Sequence, residues 1–237
     1  TAGASWPRTL DIPTATRRPA RTGKKLPGTL VEAVAGFEQS RPLRLMFQDE
    51  ARFGRISDCR RCWCRRPLRP MVKKMLSRQY IYAFGAVSPK DGVLDTLVLP
   101  QVDTPCMQLF LDEVAVRHAN DNIVMVLDGA GWHTSNALRP PANMRLLFLP
   151  PYSPELNPVE HLWDELREKH FHNRVFDSLD AVEDHLVGNL HDFEFDQPRI
   201  HSITAWQWII DAVSNANLNE WCCRGHGSRL TASLEIV

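Results

Sequence analysis

Residues 146–170, LLFLPPYSPELNPVEHLWDELREKH, pass from strand to stiff turn to amphipathic helix within one short stretch. Leu146, Leu147, Phe148 and Leu149 form an apolar run of strand length, closed by Pro150 and Pro151, and read as a buried strand. Pro154 and Pro158 each bias the preceding residue away from helical angles, which keeps the connection extended. Asn157 is a good N-cap, with Pro158 at the first helical position, where a missing N–H costs nothing. Val159, Leu162, Trp163, Leu166 and His170 then follow a helical period, which predicts one buried face. Glu160 falls at the third helical position, the acidic place of a capping box. Capping glutamates far outnumber catalytic ones, so local sequence alone favours a structural role for it.

Outward from this stretch, Ile123 to Leu127 (IVMVL) is an uninterrupted apolar run, as a strand covered on both faces would be. It ends at Asp128, followed by Gly129 and Gly131. Arg44 to Phe47 begin a strand expected to end in Gln48-Asp49-Glu50. Tyr80–Val87 and Val93–Leu99 read as a hairpin around Pro89-Lys90-Asp91-Gly92. Asp103 or Thr104 would cap a helix through Met107, Phe110, Leu111, Val114 and Ala115, and another should run from Ser178 through Leu179, Val182, Leu186 and Leu190. The block around Trp63, with Pro67 and Pro70, reads as an irregular hairpin. The expectation is an α/β fold, a mixed β-sheet flanked by helices. Residues 1–40 read as an arm or linker ending in a short helix, 41–211 as one domain, and 212–237 as an unassigned tail.

The chain has 237 residues, with 28 Lys and Arg against 28 Asp and Glu. No run has the length of a membrane span and no leader resembles a signal peptide, so a cytoplasmic protein is expected. A chain beginning at Thr1 is expected to be a fragment lacking an N-terminal part. The zero net charge hides an asymmetry. Arg55, Arg60, Arg61, Arg65, Arg66, Arg69, Lys73, Lys74 and Arg78 face one acid, Asp58, and a second basic cluster spans Arg17 to Lys25. Such blocks suit a polyanion, because neutralising phosphates releases counterions; they also suit a plain solvated surface. Cys59, Cys62 and Cys64 invite a zinc reading, but no fourth ligand stands at suitable spacing, and disulfides are not expected without a secretory signal.

Asp49 and Asp128 each follow an apolar strand and Glu160 starts a helix. Loops at strand ends are where α/β folds place their sites. Hard divalent cations take oxygen ligands, and three carboxylates could hold two such ions about 3.5–4 Å apart for phosphoryl transfer. Taken singly, an acid at a strand end is more often a turn former than a ligand.

Three segments, in order, select these acids: LMFQDEARFG, IVMVLDGAGWHTS and LFLPPYSPELNPVEHLWDELR. Together with the S-I-T-x-W-x-W-I pattern at 202–209, they resemble the catalytic domain of DDE transposases, in the bacterial insertion-sequence branch related to the mariner superfamily. The resemblance covers roughly residues 43–210 and implies an RNase H-like fold. It also implies the triad Asp49, Asp128 and Glu160 as catalytic residues and metal ligands. The cofactor would be two Mg²⁺ (or Mn²⁺) ions, with Asp49 bridging both. Water would cleave the element end, and the freed 3′-OH would attack target DNA. The partners implied are double-stranded DNA and a second copy of the chain, with localisation on the nucleoid. Arg55 to Arg78 would track DNA backbone. His133 and His161 flank the site, suited to orienting a ligand or touching phosphate. Glu50 is discounted as a ligand because neighbouring strand residues face opposite ways. Trp132 and Tyr152 are better explained by packing than by base contacts. The family's helix-turn-helix region upstream is not found here, and the tail with Cys222 and Cys223 matches nothing in the family. A non-catalytic DNA-binding remnant and a stand-alone RNase H-like nuclease are the rival readings.

Overall fold

β1 (Leu43–Gly54) is the strand on which the sheet is built, with β4 on one side and β2 on the other. The computed structural model describes residues 40–55, 79–151 and 153–222, with side chains to 214, together with residues 30, 32–34, 36, 37, 65 and 67. Five strands lie in the order β3-β2-β1-β4-β5. β2 (Tyr80–Ser88) and β3 (Val93–Leu99) form the expected hairpin and pair antiparallel. Gly92 turns it at φ +70, where a side chain would be strained and would also strike the Gln197 carbonyl. β4 (Asn122–Leu127) and β5 (Met144–Phe148) run parallel to β1.

The strands sort their side chains by alternation. Leu45, Phe47, Ala51 and Phe53 of β1 point with Val124 and Val126 of β4 into one core; Met46 points with Ile123, Met125 and Leu127 into the other. The second core is covered by α1 (Thr104–Arg117), whose Asp103 caps the Cys106 N–H at 2.8 Å as expected. The first is covered by α2 (Val159–Leu166), α3 (Leu179–Phe195), α4 (Gln197–Thr204) and α5 (Gln207–Cys222). Ser178 caps α3 through the Ala181 N–H, again as expected. This mixed sheet with helices on both faces is an RNase H-like fold.

Several expectations need correction. β1 does not end at Asp49 but runs on to Gly54, because β2 pairs with it from Phe47 through Gly54 and holds the acidic residues in strand conformation. β5 is not a buried strand: it is the sheet edge, with a neighbour on one side only, and Phe148 is exposed. The buried face of the helix after Pro158 continues at Phe171, not His170. A π turn at Arg167–Phe171 adds one residue to the helical repeat and rotates the register past His170. α5 carries the chain helically through Cys222, so the boundary drawn at 211 falls inside a helix. Of the N-terminal arm, Leu30 is buried in the sheet's first core, and Val34 is buried as well. The basic residues from Arg60 to Arg78 other than Arg65, with Trp63, Tyr152, Cys59, Cys62, Cys64 and Cys223, lie outside the described residues.

Candidate active site

Strand register brings the two aspartates together. Parallel pairing of β1 with β4 proceeds to Phe47 opposite Val126, and β4 stops at Leu127. Continued two residues, the same register sets Asp49 opposite Asp128, on the face of the sheet that Phe47 and Val126 share. α2 crosses that face, and Glu160 sits in its first turn. Asp49, Asp128 and Glu160 line one cleft of about 400 Å³, closed on another side by Leu149, Pro150, Pro151 and Pro154.

Asn157 fixes the approach of α2. Its Oδ1 accepts the Val159 N–H at 3.2 Å, the capping bond expected of it. Its Nδ2 donates to the Gln48 carbonyl at 2.9 Å, and that bond is buried. Past Phe47, β1 has lost its β4 neighbour, and Asn157 takes up the next carbonyl. One side chain therefore starts the helix of Glu160 and ties it to the strand of Asp49. The Asn157 N–H is itself satisfied by the Pro154 carbonyl at 2.9 Å. Glu160 thus has no capping bond to make, and the capping-box role that local sequence favoured is not taken.

The cleft is lined by three acids, and among the described residues that line it there is no Lys, Arg or His. Burial, then the charges of Glu160 and Glu50, raise the Asp49 carboxyl well above the ordinary carboxylate range. Burial also raises Glu160, against the opposing charge of Arg167. Asp128 is held differently. His133, buried, places Nδ1 2.7 Å from Asp128 Oδ1 and Nε2 2.8 Å from Glu50 Oε1. Burial alone would lower that imidazole; the hydrogen bond and charge of Glu50, then Asp128, raise it instead. The Trp132 Nε1 lies 3.0 Å from the same Nε2. On Asp49, Trp163 Nε1 donates to Oδ2 at 3.0 Å. Oxygen-only donors suit hard divalent cations. Among the described residues no three His, Cys, Asp or Glu side chains converge closely enough to share one ion.

The family follows from the chain's own match. Residues 44–183, more than half of it and including all three acids, match the model of the DDE superfamily endonuclease family. The chain belongs to that family. A protein of Sinorhizobium fredii (strain NBRC 101917 / NGR234), named as the uncharacterized protein y4pE/y4sA, is 42% identical over 150 residues, 61% of this chain and 98% of that protein. Among solved structures, a Mos1 transposase paired-end complex with the left transposon end aligns at TM-score 0.55 and 17% identity, over 91% of this chain and 66% of that one. A Mos1 strand transfer complex aligns at TM-score 0.54 and 18% identity, over 82% and 61%. The chain thus spans somewhat less than two thirds of these transposase chains; the likeness is one of fold.

In this DDE-family chain the structure brings together Asp49, Asp128, Glu160 and His133. His161 is not among them: it is exposed, and its ring packs edge-on against Trp206 at 5.0 Å. Arg55 is also committed elsewhere. Its guanidinium donates to the Phe176 and Asp177 carbonyls and to Gln79, closing the segment before α3 onto the end of β1. These bonds give it a structural role; Arg65 is exposed. Trp132 packs partly buried against the second core, as its packing reading implied. Among the described residues no helix is long and apolar enough to cross a membrane. Sequence reasoning missed Trp163 as a partner of Asp49, although a buried indole N–H calls for an acceptor. It also set Glu50 aside because of strand alternation. The alternation holds, but His133 reaches around the end of β4 and links Glu50 to Asp128.

Proposed function

We propose that this chain is the catalytic domain of an insertion-sequence DNA transposase. It would cleave element ends and join the freed 3′-OH to target DNA. The observation that carries the reading is the meeting of Asp49, Asp128 and Glu160, from a strand, a strand end and a helix start, in one cleft. These three would hold two Mg²⁺ or Mn²⁺ ions; Mos1 complexes with Mn and with Mg have been solved. Divalent ions supply the nucleophile activation and leaving-oxygen stabilisation that phosphodiester cleavage needs.

The chain's own part is positioning. Asn157 sets Glu160 against β1, His133 orients the Asp128 carboxylate, and the prolines of 150–158 stiffen the cleft wall. Arg60, Arg61, Arg65, Arg66, Arg69, Lys73, Lys74 and Arg78 would follow DNA phosphates without reading sequence, which predicts steeply salt-dependent binding. Two copies would pair two ends, working on the nucleoid in the cytoplasm.

The test is incubation of purified protein with end-containing and random duplexes, with and without Mg²⁺. Metal-dependent nicking confined to end-containing DNA supports the proposal. Nicking of both substrates points to a general nuclease, and salt-sensitive binding without nicking points to a DNA-binding remnant; either overturns it.

A further inference from the structure

We infer that Trp163 is the positioning residue for Asp49, and that Gly85 is the notch that lets it reach. The inference rests on the metal-ligand reading of Asp49 above. Trp163 is buried on α2, one turn beyond Glu160. Its Nε1–H donates to Asp49 Oδ2 at 3.0 Å. A buried indole N–H needs such a partner, and the bond to a carboxylate is of the stronger, charge-assisted kind.

What fixes the indole is Gly85. It is the cross-strand partner of Asp49 on β2. A Cβ at Gly85 would lie 2.7 Å from Trp163 Cη2 and 2.9 Å from Cζ2, closer than real Cβ contacts come. Phe53, four residues further along β1 and on the same face as Asp49, meets the indole edge-on at 6.4 Å. The ring is therefore wedged in a slot whose floor is the strand position opposite Asp49. Glycine inside a strand weakens it and marks a place where something must approach closely. Here the approaching group is the ring that holds the carboxylate. Trp163 touches no reacting atom in this account; it acts through Asp49. Groups that orient a metal ligand in this way typically matter 10- to 100-fold for metal affinity.

The test is Mn²⁺ binding by the full chain without DNA, followed by electron paramagnetic resonance, with thermal melting of each variant alongside. Trp163→Phe keeps an aromatic ring and removes the N–H; its Mn²⁺ affinity should fall about tenfold. Gly85→Ala, which displaces the indole without touching Asp49, should fall in the same direction. Leu166→Ala removes a buried side chain from the same helix and lowers the melting temperature, but its affinity should match the wild type. Trp163→Phe binding Mn²⁺ as tightly as the wild type overturns the inference and leaves the metal site standing. So does an equal loss in Leu166→Ala, which would make the effect one of core packing. Undiminished Mn²⁺ binding by Asp49→Asn would instead remove Asp49 as a ligand, and with it both the metal reading and this inference.

Discussion

Asp49 and Asp128 stand at the same level of neighbouring parallel strands, yet they are held in opposite ways. Asp49 lies inside a strand, backed by Gly85 and gripped by Trp163. Asp128 lies one residue beyond a strand end with its side chain 60% exposed, and its fixed neighbour is the side chain of His133, itself anchored to Glu50. The first carboxylate is placed by the backbone and the core, the second by a buried polar relay. An in-strand residue inherits the rigidity of the strand paired beside it, here β2. A residue past the strand end has to be given rigidity by a partner, and His133 supplies it.

The largest expected effect lies in the unequal tolerance of the two positions to a longer side chain. Asp49→Glu forces a methylene into the space between Trp163 and the sheet, where overpacking costs about 1–3 kcal/mol and moves the carboxylate. Metal-dependent cleavage of end-containing DNA should drop to background. Asp128→Glu, on the open side of the cleft, should retain a measurable rate. Equal losses in single-turnover cleavage would break the distinction between the two sites.

The relay at Asp128 gives the next effect. His133→Leu should lower cleavage about 10- to 100-fold, as loss of a group orienting a ligand does. Glu50→Gln should act in the same direction, and the double variant should be no worse than His133→Leu alone, because residues in one network are not additive. Losses that multiply would show Glu50 acting independently of His133.

Asn157 affects stability more than chemistry. Asn157→Ala removes the capping bond and leaves the buried Gln48 carbonyl without its partner. The two together should cost about 2 kcal/mol, read as a shift of the urea midpoint at unchanged slope. A change below a few tenths of a kcal/mol would mean that the start of α2 is held by packing alone.

Much of this was legible in sequence, for identifiable reasons. The hairpin, α1 and α3 each carry an apolar pattern with a local cap or turn residue, Asp91-Gly92, Asp103 and Ser178, and β4 is an unbroken apolar run. The triad was legible because three long motifs resemble a known family. What was not legible depends on partners distant in sequence. That β1 runs on beyond Asp49 is decided by β2, and the shift from His170 to Phe171 by one extra residue in a helical turn. The bonds Trp163–Asp49, Asn157–Gln48 and His133–Glu50 span 114, 109 and 83 residues, so no local window contains both partners. His161 shows the converse: nearness to Glu160 in sequence suggested a role, and the helix turns it out against Trp206.

The smallest effect is one of sign. In the metal-free chain the Asp49 carboxyl is raised by burial and then by the neighbouring charge of Glu160 and Glu50. The folded chain therefore binds that proton more tightly than the unfolded chain does. A carboxyl raised on folding contributes its stability below the ordinary carboxylate range and loses it as pH rises through the elevated value. Ionising Asp49 thus opposes folding when no cation is present. Asp49→Asn keeps an oxygen to accept the Trp163 N–H and removes the charge, so the metal-free variant should melt slightly higher than wild type. The gap should narrow as pH falls and close below the ordinary aspartate value of about 3.9, where the wild-type carboxyl is protonated in both states. Asp128→Asn should give a smaller gain or a loss, since Asp128 is exposed and its charge is matched by His133. If Asp128→Asn stabilises the metal-free chain more than Asp49→Asn in calorimetric melting at neutral pH, the uncompensated charge sits on the loop and not in the strand, and the contrast between the two aspartates is the reverse of the one drawn from their surroundings.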